Sequence, residues 1–306
     1  QSDLDEEEEI YAHMAMEDDD DEETAEFEVF LARDKKNVES KPGDSVRPTW
    51  AFDDKNVERP KWVEAKNIEQ TRLVAYDTWR KLTEEEENEW RRGKLKAVPC
   101  ALLLNRKRCG RYKARLVVLG NRWKPDEPNN VYASVVSQVG NRAVVTHCAR
   151  EGFSIVPFDI SNAFVRASMG DMKVVVKLPD SFKDSEGNDN GIRMLKKALY
   201  GLPISPRLWA KTLHKDLIKL GYQECKSEPG VYRKVVGGET VAYITVYVDD
   251  CIVGAKTPKI CEEEVEAINK IHPLKRIETK TDKDGTQHFD MCGADIAYNS
   301  TKRTLK

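Results

Sequence analysis

The spacing of apolar residues predicts four helices along this chain. Apolar side chains recur every three to four positions in each stretch, which is the period of a helix with one buried face. The third stretch begins at Ser205-Pro206, where serine is a favoured cap and proline fits the first helical turn. The predicted helices cover residues 60–93, 138–150, 205–221 and 258–271.

Shorter apolar runs bounded by turn residues predict strands. The runs at residues 100–104 and 116–119 flank the polar stretch 105–110, a pattern that indicates a β-hairpin. Three later runs follow one another closely, with Gly237-Gly238 as the first predicted turn and Asp249-Asp250 as the second. The remaining predicted strands cover residues 155–158, 174–178, 231–236, 241–248 and 251–255. Separate helices with antiparallel strands are typical of an α+β fold.

Charge is distributed unevenly. Residues 1–28 hold fifteen Asp and Glu and no Lys or Arg, whereas the rest of the chain holds 38 acidic and 50 basic residues. Acidic runs repel themselves and bury little, so residues 1–45 are predicted to be a disordered acidic linker. Residues 46–96 are predicted to form a helical N-terminal segment. Residues 90–125 hold twelve Lys or Arg and no acid, which favours binding of nucleic-acid phosphates over the alternative of a solvated charged face.

The composition also predicts the cellular compartment in which the protein is found. No run approaches the roughly 18 apolar residues of a membrane span. The acidic start does not match a signal peptide. Seven cysteines without a Cys-x-x-Cys pair indicate free thiols and disfavour a zinc site. We therefore expect an intracellular protein, cytoplasmic or nuclear, that is neither secreted nor bound in a membrane.

Three aspartates are the main candidates for chemistry. Asp249 and Asp250 lie between two apolar strands and could form an ordinary turn. Two carboxylates about 4 Å apart repel by roughly 4 kcal/mol at an effective dielectric near 20, so a bound cation would favour the pair against a hydrophobic sheet. Asp159 follows another predicted strand, where it could cap a helix or join the pair if the strands are adjacent. Such an oxygen-rich cluster suits Mg²⁺.

Five motifs occur in order along the chain. They are Arg111-Tyr112-Lys113-Ala114-Arg115-Leu116-Val117, Phe158-Asp159-Ile160-Ser161-Asn162-Ala163-Phe164, Lys197-Ala198-Leu199-Tyr200-Gly201-Leu202 with Ser205-Pro206-Arg207-Leu208-Trp209, Glu228-Pro229-Gly230-Val231-Tyr232, and Tyr247-Val248-Asp249-Asp250. In their order these motifs resemble the reverse transcriptase domain of copia-type retrotransposons, and the resemblance extends from about residue 78 to about residue 297.

The resemblance implies an RNA-directed DNA polymerase. Residues 97–306 would form the fingers and palm of a polymerase right hand, with helices packed on an antiparallel palm sheet and an incomplete thumb. The implied partners are an RNA or DNA template with its primer and deoxynucleoside triphosphates. The implied reaction is attack of a primer 3′-hydroxyl on the α-phosphate of the nucleotide, with two metal ions assisting.

The resemblance also implies residue roles. Two Mg²⁺ ions, for which Mn²⁺ could substitute, would be held by Asp159, Asp249 and Asp250, with Asp250 as the least direct ligand. Phe164 would exclude a ribose 2′-hydroxyl, although a core aromatic is the alternative. The remaining implied nucleotide-binding residues are Lys113 and Arg115 at the triphosphate, and Tyr247, which with Val248 would flank the metals and support the primer end.

The sequence departs from the family pattern in two places. Pro203-Ile204 replaces the usual Lys-Gln, and residues 97–100 replace a typical Lys-Trp-Val. The family's thumb would follow Lys306. Two alternatives therefore stay open beside the polymerase: a catalytically decayed or co-opted nucleic-acid-binding protein, and a nucleotidyltransferase that needs no template. The sequence leaves the oligomeric state open.

Overall fold

The computed structural model describes residues 39–123, 131–182, 190–291 and 293–306. Helices and antiparallel strands occur together within these ranges, so the α+β class is confirmed. The helices are α1 (Pro48–Ala51), α2 (Arg59–Ala75), α3 (Glu84–Arg91), α4 (Gln138–Glu151), α5 (Ala163–Arg166), α6 (Ser205–Lys219) and α7 (Pro258–Ile271).

The strands form three sheets whose members are mostly antiparallel neighbours. In chain order they are β1 (Ser45–Val46), β2 (Trp79–Arg80), β3 (Ala97–Arg106), β4 (Tyr112–Val118), β5 (Ser154–Ile160), β6 (Val175–Lys177), β7 (Ile192–Leu195), β8 (Tyr222–Glu224), β9 (Val231–Val236), β10 (Glu239–Tyr247), β11 (Asp250–Ala255), β12 (Leu274–Arg276), β13 (Lys280–Thr281), β14 (Gln287–Met291), β15 (Ala294–Asn299) and β16 (Thr304–Leu305).

Most of the predicted acidic linker lies outside the described residues, which begin at residue 39. The last part of that segment is described: Ser40 is buried and donates its backbone N–H to Glu58 Oε2 at 2.9 Å, and Ser45 begins β1. In the part of the chain that the structure describes, no helix has both the length and the apolar character that crossing a bilayer requires.

The single helix predicted over residues 60–93 is wrong, because two helices occupy that stretch. Helix α2 ends at Ala75, and Asp77 has a left-handed φ of 52°, which turns the chain away from the helix axis. Strand β2 then pairs with β7, and α3 begins after Thr83. Thr83 and Glu86 form a capping box, a local signal that separates the second helix from the first.

The capping residue Glu86 gives a prediction about stability and pH. Its carboxylate accepts two hydrogen bonds from the Arg80 guanidinium, at 2.6 and 2.8 Å, and these bonds with the Thr83 N–H hold the Glu86 pKa at about 2. Because the folded pKa lies below the ordinary 4.5, the stabilisation is complete above pH 4.5 and is lost as pH falls through 2. Arg80 is partly exposed, so we expect Glu86→Gln to lower the free energy of unfolding by only about 1–2 kcal/mol at pH 7.

Urea unfolding of this variant and wild type at pH 7, 5 and 3 measures the effect. The difference between them should shrink at the lowest pH. Glu85→Gln, an exposed position in the same helical turn, is the matched control and should change stability by less than about 0.5 kcal/mol. If the difference in unfolding free energy between wild type and Glu86→Gln stayed constant from pH 7 to pH 3, it would contradict the stabilising role given to the Glu86 carboxylate.

The chain divides into two compact units. The first comprises the described residues up to Val131 together with Phe164–Ser205. Its sheet has the order β1-β3-β6-β7-β2, and β4 pairs with β3, which confirms the predicted hairpin. Helix α2 packs along β4, and Leu102, Leu104 and Leu116 are fully buried in this unit.

The second unit comprises Tyr132–Ala163 and Pro206–Lys306. Its main sheet has the order β12-β5-β11-β10-β9-β8, and β13 to β16 form a small second sheet. Helix α4 and the small sheet share an apolar cluster with β5 and β11, whereas α7 packs against β5, β10 and β11. The predicted turn at Gly237-Gly238 is confirmed, with φ values of 60° and 84° that suit glycine.

Candidate active site

The hairpin between β10 and β11 carries the aspartate pair. Tyr247 and Asp250 are directly paired, so Val248 and Asp249 form the turn and Asp250 is the first residue of β11. The predicted turn at Asp249-Asp250 is therefore displaced by one residue. Val248 has a φ of 56°, a conformation that a β-branched residue rarely adopts. Sequence rules would not assign valine to that position, because glycine is favoured where φ is positive.

Two hydrogen bonds from neighbouring elements hold this turn in place. The indole Nε1 of Trp209, in α6, donates to the Val248 carbonyl oxygen at 2.8 Å. The backbone N–H of Ile160, at the end of β5, donates to the Asp249 carbonyl oxygen at 2.9 Å. Strained backbone of this kind persists where the surrounding structure fixes it, and it is concentrated at functional sites.

The turn gives a stability prediction. Relief of about 1–3 kcal/mol of backbone strain should outweigh the entropic penalty of glycine, about 0.5–1 kcal/mol. We therefore expect Val248→Gly to raise the free energy of unfolding by about 1 kcal/mol in urea titrations. Val235→Gly, at an exposed position of β9, is the control and should lower that energy by about 1 kcal/mol. Equal destabilisation by both changes would show that the Val248 turn is unstrained.

Four residues on four adjacent strands lie opposite one another across the sheet. Tyr247 on β10 pairs with Asp250 on β11, Asp250 pairs with Asp159 on β5, and Asp159 pairs with Lys275 on β12. Directly paired residues of antiparallel strands project from the same face of a sheet. Tyr247, Asp250, Asp159 and Lys275 thus form a cross-strand row of an aromatic ring, two carboxylates and an ammonium group.

The condition set by the sequence, that the strand of Asp159 lies beside the Asp249-Asp250 hairpin, is met. Asp250 is buried, at 8% exposure, whereas Asp159 and Asp249 are half-buried and Tyr247 is 43% exposed. Within residues 39–123, 131–182, 190–291 and 293–306, no three His, Cys, Asp or Glu side chains are gathered closely enough to hold a metal ion. The paired carboxylates nevertheless offer the oxygen donors that Mg²⁺ prefers, since this ion usually takes one or two carboxylates and completes its shell with water and substrate phosphates.

The basic candidates lie in the first unit, on strand β4. Lys113 and Arg115 are two positions apart and therefore share one face of the strand. Glu69, a buried residue of α2, accepts the backbone N–H of Leu116 at 3.2 Å and forms an ion pair with Arg72 at 3.1 Å. Burial raises the pKa of the Glu69 carboxyl, while the charge of Arg72, the Leu116 N–H and the charges of Arg115 and Lys113 oppose that rise.

Phe164, the candidate for sugar selection, also belongs to the first unit. It is buried, at 8% exposure, and its ring contacts the ring of Tyr200, with centroids 4.7 Å apart. The guanidinium carbon of Arg115 lies 4.2 Å from the centroid of the same Tyr200 ring. Tyr200 thus brings together two residues that the sequence singled out separately.

Sequence reasoning assigned no role to Lys275, Tyr200, Glu69 or Trp209. Tyr200 and Trp209 did lie within matched motifs, which was the available signal for them. Lys275 gave no signal, because its strand is only three residues long and is recognisable only from its pairing with β5. Ile204, which replaces the expected glutamine, is a core residue at 4% exposure.

Residues 93–283, more than half of the chain, match the family described as reverse transcriptase (RNA-dependent DNA polymerase). The chain therefore belongs to the reverse transcriptase family. Its curated relatives are transposon proteins, among them Pol and Gag-Pol polyproteins, and with the family match they support a copia-type reverse transcriptase domain.

Three relatives illustrate the range of similarity. The retrovirus-related Pol polyprotein from transposon RE1 of Arabidopsis thaliana is 28% identical over 166 residues, which are 54% of this chain and 11% of the polyprotein. The transposon Ty1-DR1 Gag-Pol polyprotein of Saccharomyces cerevisiae is 25% identical over 249 residues, 80% of this chain and 13% of the polyprotein. The putative transposon Ty5-1 protein of the same yeast is 33% identical over 125 residues, 41% of this chain and 39% of that protein. The chain thus spans only a minor part of these relatives.

Among solved structures, telomerase from Candida albicans in complex with the TWJ fragment of telomeric RNA aligns with a TM-score of 0.41 and 12% sequence identity. The alignment covers 79% of this chain and 49% of that one. A likeness at that level says nothing about activity.

Proposed function

We propose that this chain is the polymerising part of a copia-type reverse transcriptase and that it copies an RNA or DNA template by adding deoxynucleotides to a primer. The observation that carries the proposal is the cross-strand row, in which two carboxylates are directly paired beside a strained turn. Family membership supplies the reaction class. The two compact units are proposed to correspond to fingers, in the first unit, and palm, in the second.

Asp159, Asp249 and Asp250 are proposed to hold two Mg²⁺ ions, which Mn²⁺ could replace. When bound, such ions lower the pKa of the attacking hydroxyl and neutralise charge on the leaving group. The chain contributes the backbone positions of these aspartates: Asp159 and Asp250 are held by strand pairing, and the Asp249 carbonyl oxygen accepts the N–H of Ile160. The three carboxylates are not gathered around one point in the part of the chain that the structure describes, so their side chains would turn toward the ions on binding.

The other site residues are proposed to bind the substrates. Arg115 would bind triphosphate oxygens with its planar fork, while Lys113 would act as a point charge. Phe164 would fill the space that a ribose 2′-hydroxyl needs, and its burial supports a fixed ring position. Tyr247, with its exposed side chain, would contact the primer end. Lys275 would offer a positive charge to a phosphate group beside Asp159.

The remaining proposed partners are nucleic acids. The basic stretch at residues 90–125 lies mainly on or near β3 and β4, and its charge would attract the phosphate backbone of a template-primer duplex. Binding of this kind weakens steeply as salt rises.

A primer-extension assay tests the proposal. The full chain is incubated with a DNA primer on an RNA template of defined sequence, Mg²⁺ and one deoxynucleotide at a time. We expect only the nucleotide complementary to the template to be added, and we expect a chelator to stop the addition. Uptake of any nucleotide regardless of the template would instead indicate a template-independent transferase.

A second candidate is a nucleic-acid-binding protein without catalysis. The observation that favours it is Ile204, a buried apolar residue where the family has glutamine. Salt-sensitive binding of the template-primer with no Mg²⁺-dependent nucleotide uptake would support this alternative and contradict the polymerase. Binding that does not respond to salt would exclude it as well.

A further inference from the structure

Three residues from separate segments of the first unit form one cluster, here called the Tyr200 trio: Arg115, Tyr200 and Phe164. The Arg115 guanidinium lies over the Tyr200 ring at 4.2 Å from its centroid. The Phe164 ring meets the Tyr200 ring at an interplanar angle of 67°, with 4.7 Å between centroids. Both arrangements are attractive because the face of an aromatic ring is negative and its edge is positive.

The backbone of Tyr200 has little freedom to move. Its carbonyl oxygen accepts the N–H of Val118, the last residue of β4, at 2.8 Å. The neighbouring Gly201 packs so closely against Gly120 that a Cβ at Gly120 would lie 2.0 Å from the Gly201 carbonyl oxygen. The backbone of Tyr200 is therefore fixed to the strand that carries Arg115, and its half-buried ring contacts the ring of Phe164.

We propose that Tyr200 is a positioning residue that couples triphosphate binding to sugar selection. It would orient Arg115 toward the triphosphate of a deoxynucleotide and hold the Phe164 ring against the sugar, so that loss of the Tyr200 ring weakens both functions together. This inference rests on the proposed function, since it assigns nucleotide contacts to Arg115 and Phe164. Tyr200 contacts both residues and so provides a physical link between them.

Two substitutions separate the ring from the hydroxyl. Tyr200→Phe keeps the aromatic face, whereas Tyr200→Leu keeps bulk but removes the ring. We expect Tyr200→Phe to stay within about twofold of wild type in every measurement. We expect Tyr200→Leu to raise the Kd for dATP about tenfold and to reduce the preference for dATP over ATP at least about fivefold, because a desolvated cation–π contact and an aromatic pair are both lost.

The binding measurement uses the full chain on a template-primer with Ca²⁺, a divalent ion chosen to allow binding without turnover. Steady-state KM and kcat are then measured with Mg²⁺. A positioning role predicts that the KM for dATP rises more than kcat falls. The matched control is Tyr76→Leu, which removes another tyrosine–arginine contact of the first unit, with Arg166 at 5.2 Å, and should leave the dATP preference unchanged.

The outcomes distinguish this inference from the proposed function. If Tyr200→Leu binds dATP and ATP as wild type does, or if Tyr200→Phe is as impaired as Tyr200→Leu, the coupling role is wrong. If binding changes as expected but wild type extends no primer, the polymerase activity fails and the coupling stands. If wild type binds neither nucleotide, both are wrong. Thermal unfolding of each variant, expected within a few degrees of wild type, separates these outcomes from a failure to fold.

Discussion

Asp159→Asn should reduce single-nucleotide incorporation by about a thousandfold or more in kcat/KM, which corresponds to roughly 4 kcal/mol in the barrier. Asp159 is the central residue of the cross-strand row, paired on one side with Asp250 and on the other with Lys275. Asparagine has nearly the same shape but no charge, so the variant should weaken the proposed cation binding while it preserves strand pairing. Rates measured in single-turnover primer extension with Mg²⁺ test the expectation.

The chain offers a matched control for this change. Asp290 and Asp295 are also directly paired across two antiparallel strands, β14 and β15, and both are exposed. Asp295→Asn therefore removes the same charge from the same kind of pair and should leave incorporation within about twofold of wild type. A second measurement, thermal unfolding with and without Mg²⁺, does not depend on turnover. Mg²⁺ should raise the unfolding temperature of wild type, because a ligand that binds only the folded state stabilises it. The rise should be smaller for Asp159→Asn.

Two results would contradict the role of Asp159. One is an Asp159→Asn variant that keeps more than a tenth of wild-type incorporation. The other is a Mg²⁺ response of thermal unfolding that is the same in both proteins, since it would show that the ion binds elsewhere or contributes nothing to the folded state.

Gly230→Ala should destabilise the second unit by roughly 3–5 kcal/mol, enough to impair folding of a marginally stable domain. Gly230 has a φ of 81°, and a Cβ there would lie 2.4 Å from the Val136 nitrogen and 2.9 Å from the Val246 oxygen. Those two atoms already share a hydrogen bond of 2.9 Å. Neither backbone segment can retreat without breaking that bond, and alanine also disfavours the left-handed conformation.

Replacing two other glycines of the second unit by alanine should give smaller losses of stability, which provides a scale for the Gly230 effect. Gly237 has a φ of 60° and nothing within 4 Å of an added Cβ, so Gly237→Ala should cost only about 1–2 kcal/mol of conformational strain. A Cβ at Gly140 would meet the flexible carboxyl end of Glu228 at 2.5 Å, which predicts an intermediate cost. Urea unfolding, or soluble yield where a variant does not fold, measures the order. Gly230→Ala with stability equal to that of Gly237→Ala would show that the close backbone approach is relaxed in solution.

Features governed by local chemistry were predictable from the sequence. Helix α7 has the predicted bounds, because Thr257 caps it and Pro258 begins it, and its apolar residues keep a regular period. The Gly237-Gly238 turn was predictable for the same reason, since two glycines permit positive φ at both positions. The break between α2 and α3 was missed, because the loose apolar spacing continued across it while the capping box at Thr83 was local and polar.

The sequence identified the acidic residues of the candidate site, but it could not give their arrangement in space. Asp159, Asp249 and Asp250 were identifiable from motifs, but the register that pairs Asp159 with Asp250 is set by contacts between segments about ninety residues apart. Lys275 could not be predicted because it, too, reaches the site only through strand pairing with a distant segment. The turn at Val248 was missed because tertiary hydrogen bonds from Trp209 and Ile160 impose a conformation that valine does not favour by itself.

The placement of β5 between β11 and β12 has a consequence for how the protein is made. When the ribosome has synthesised the chain as far as residue 160, strand β5 is complete but neither of its neighbouring strands exists yet. Those strands, β11 and β12, begin only at Asp250 and Leu274. Pairings between such distant segments form slowly, because long loops must close first. The apolar side chains of β5 therefore stay exposed or loosely collapsed during synthesis, and both neighbouring strands are available only after about 115 further residues. Asp159 and Asp250 can meet only after β11 has been made, and Lys275 can join them only after β12, so a nascent chain cut short before Asp250 would lack the paired carboxylates and one cut short before Leu274 would lack the ammonium group.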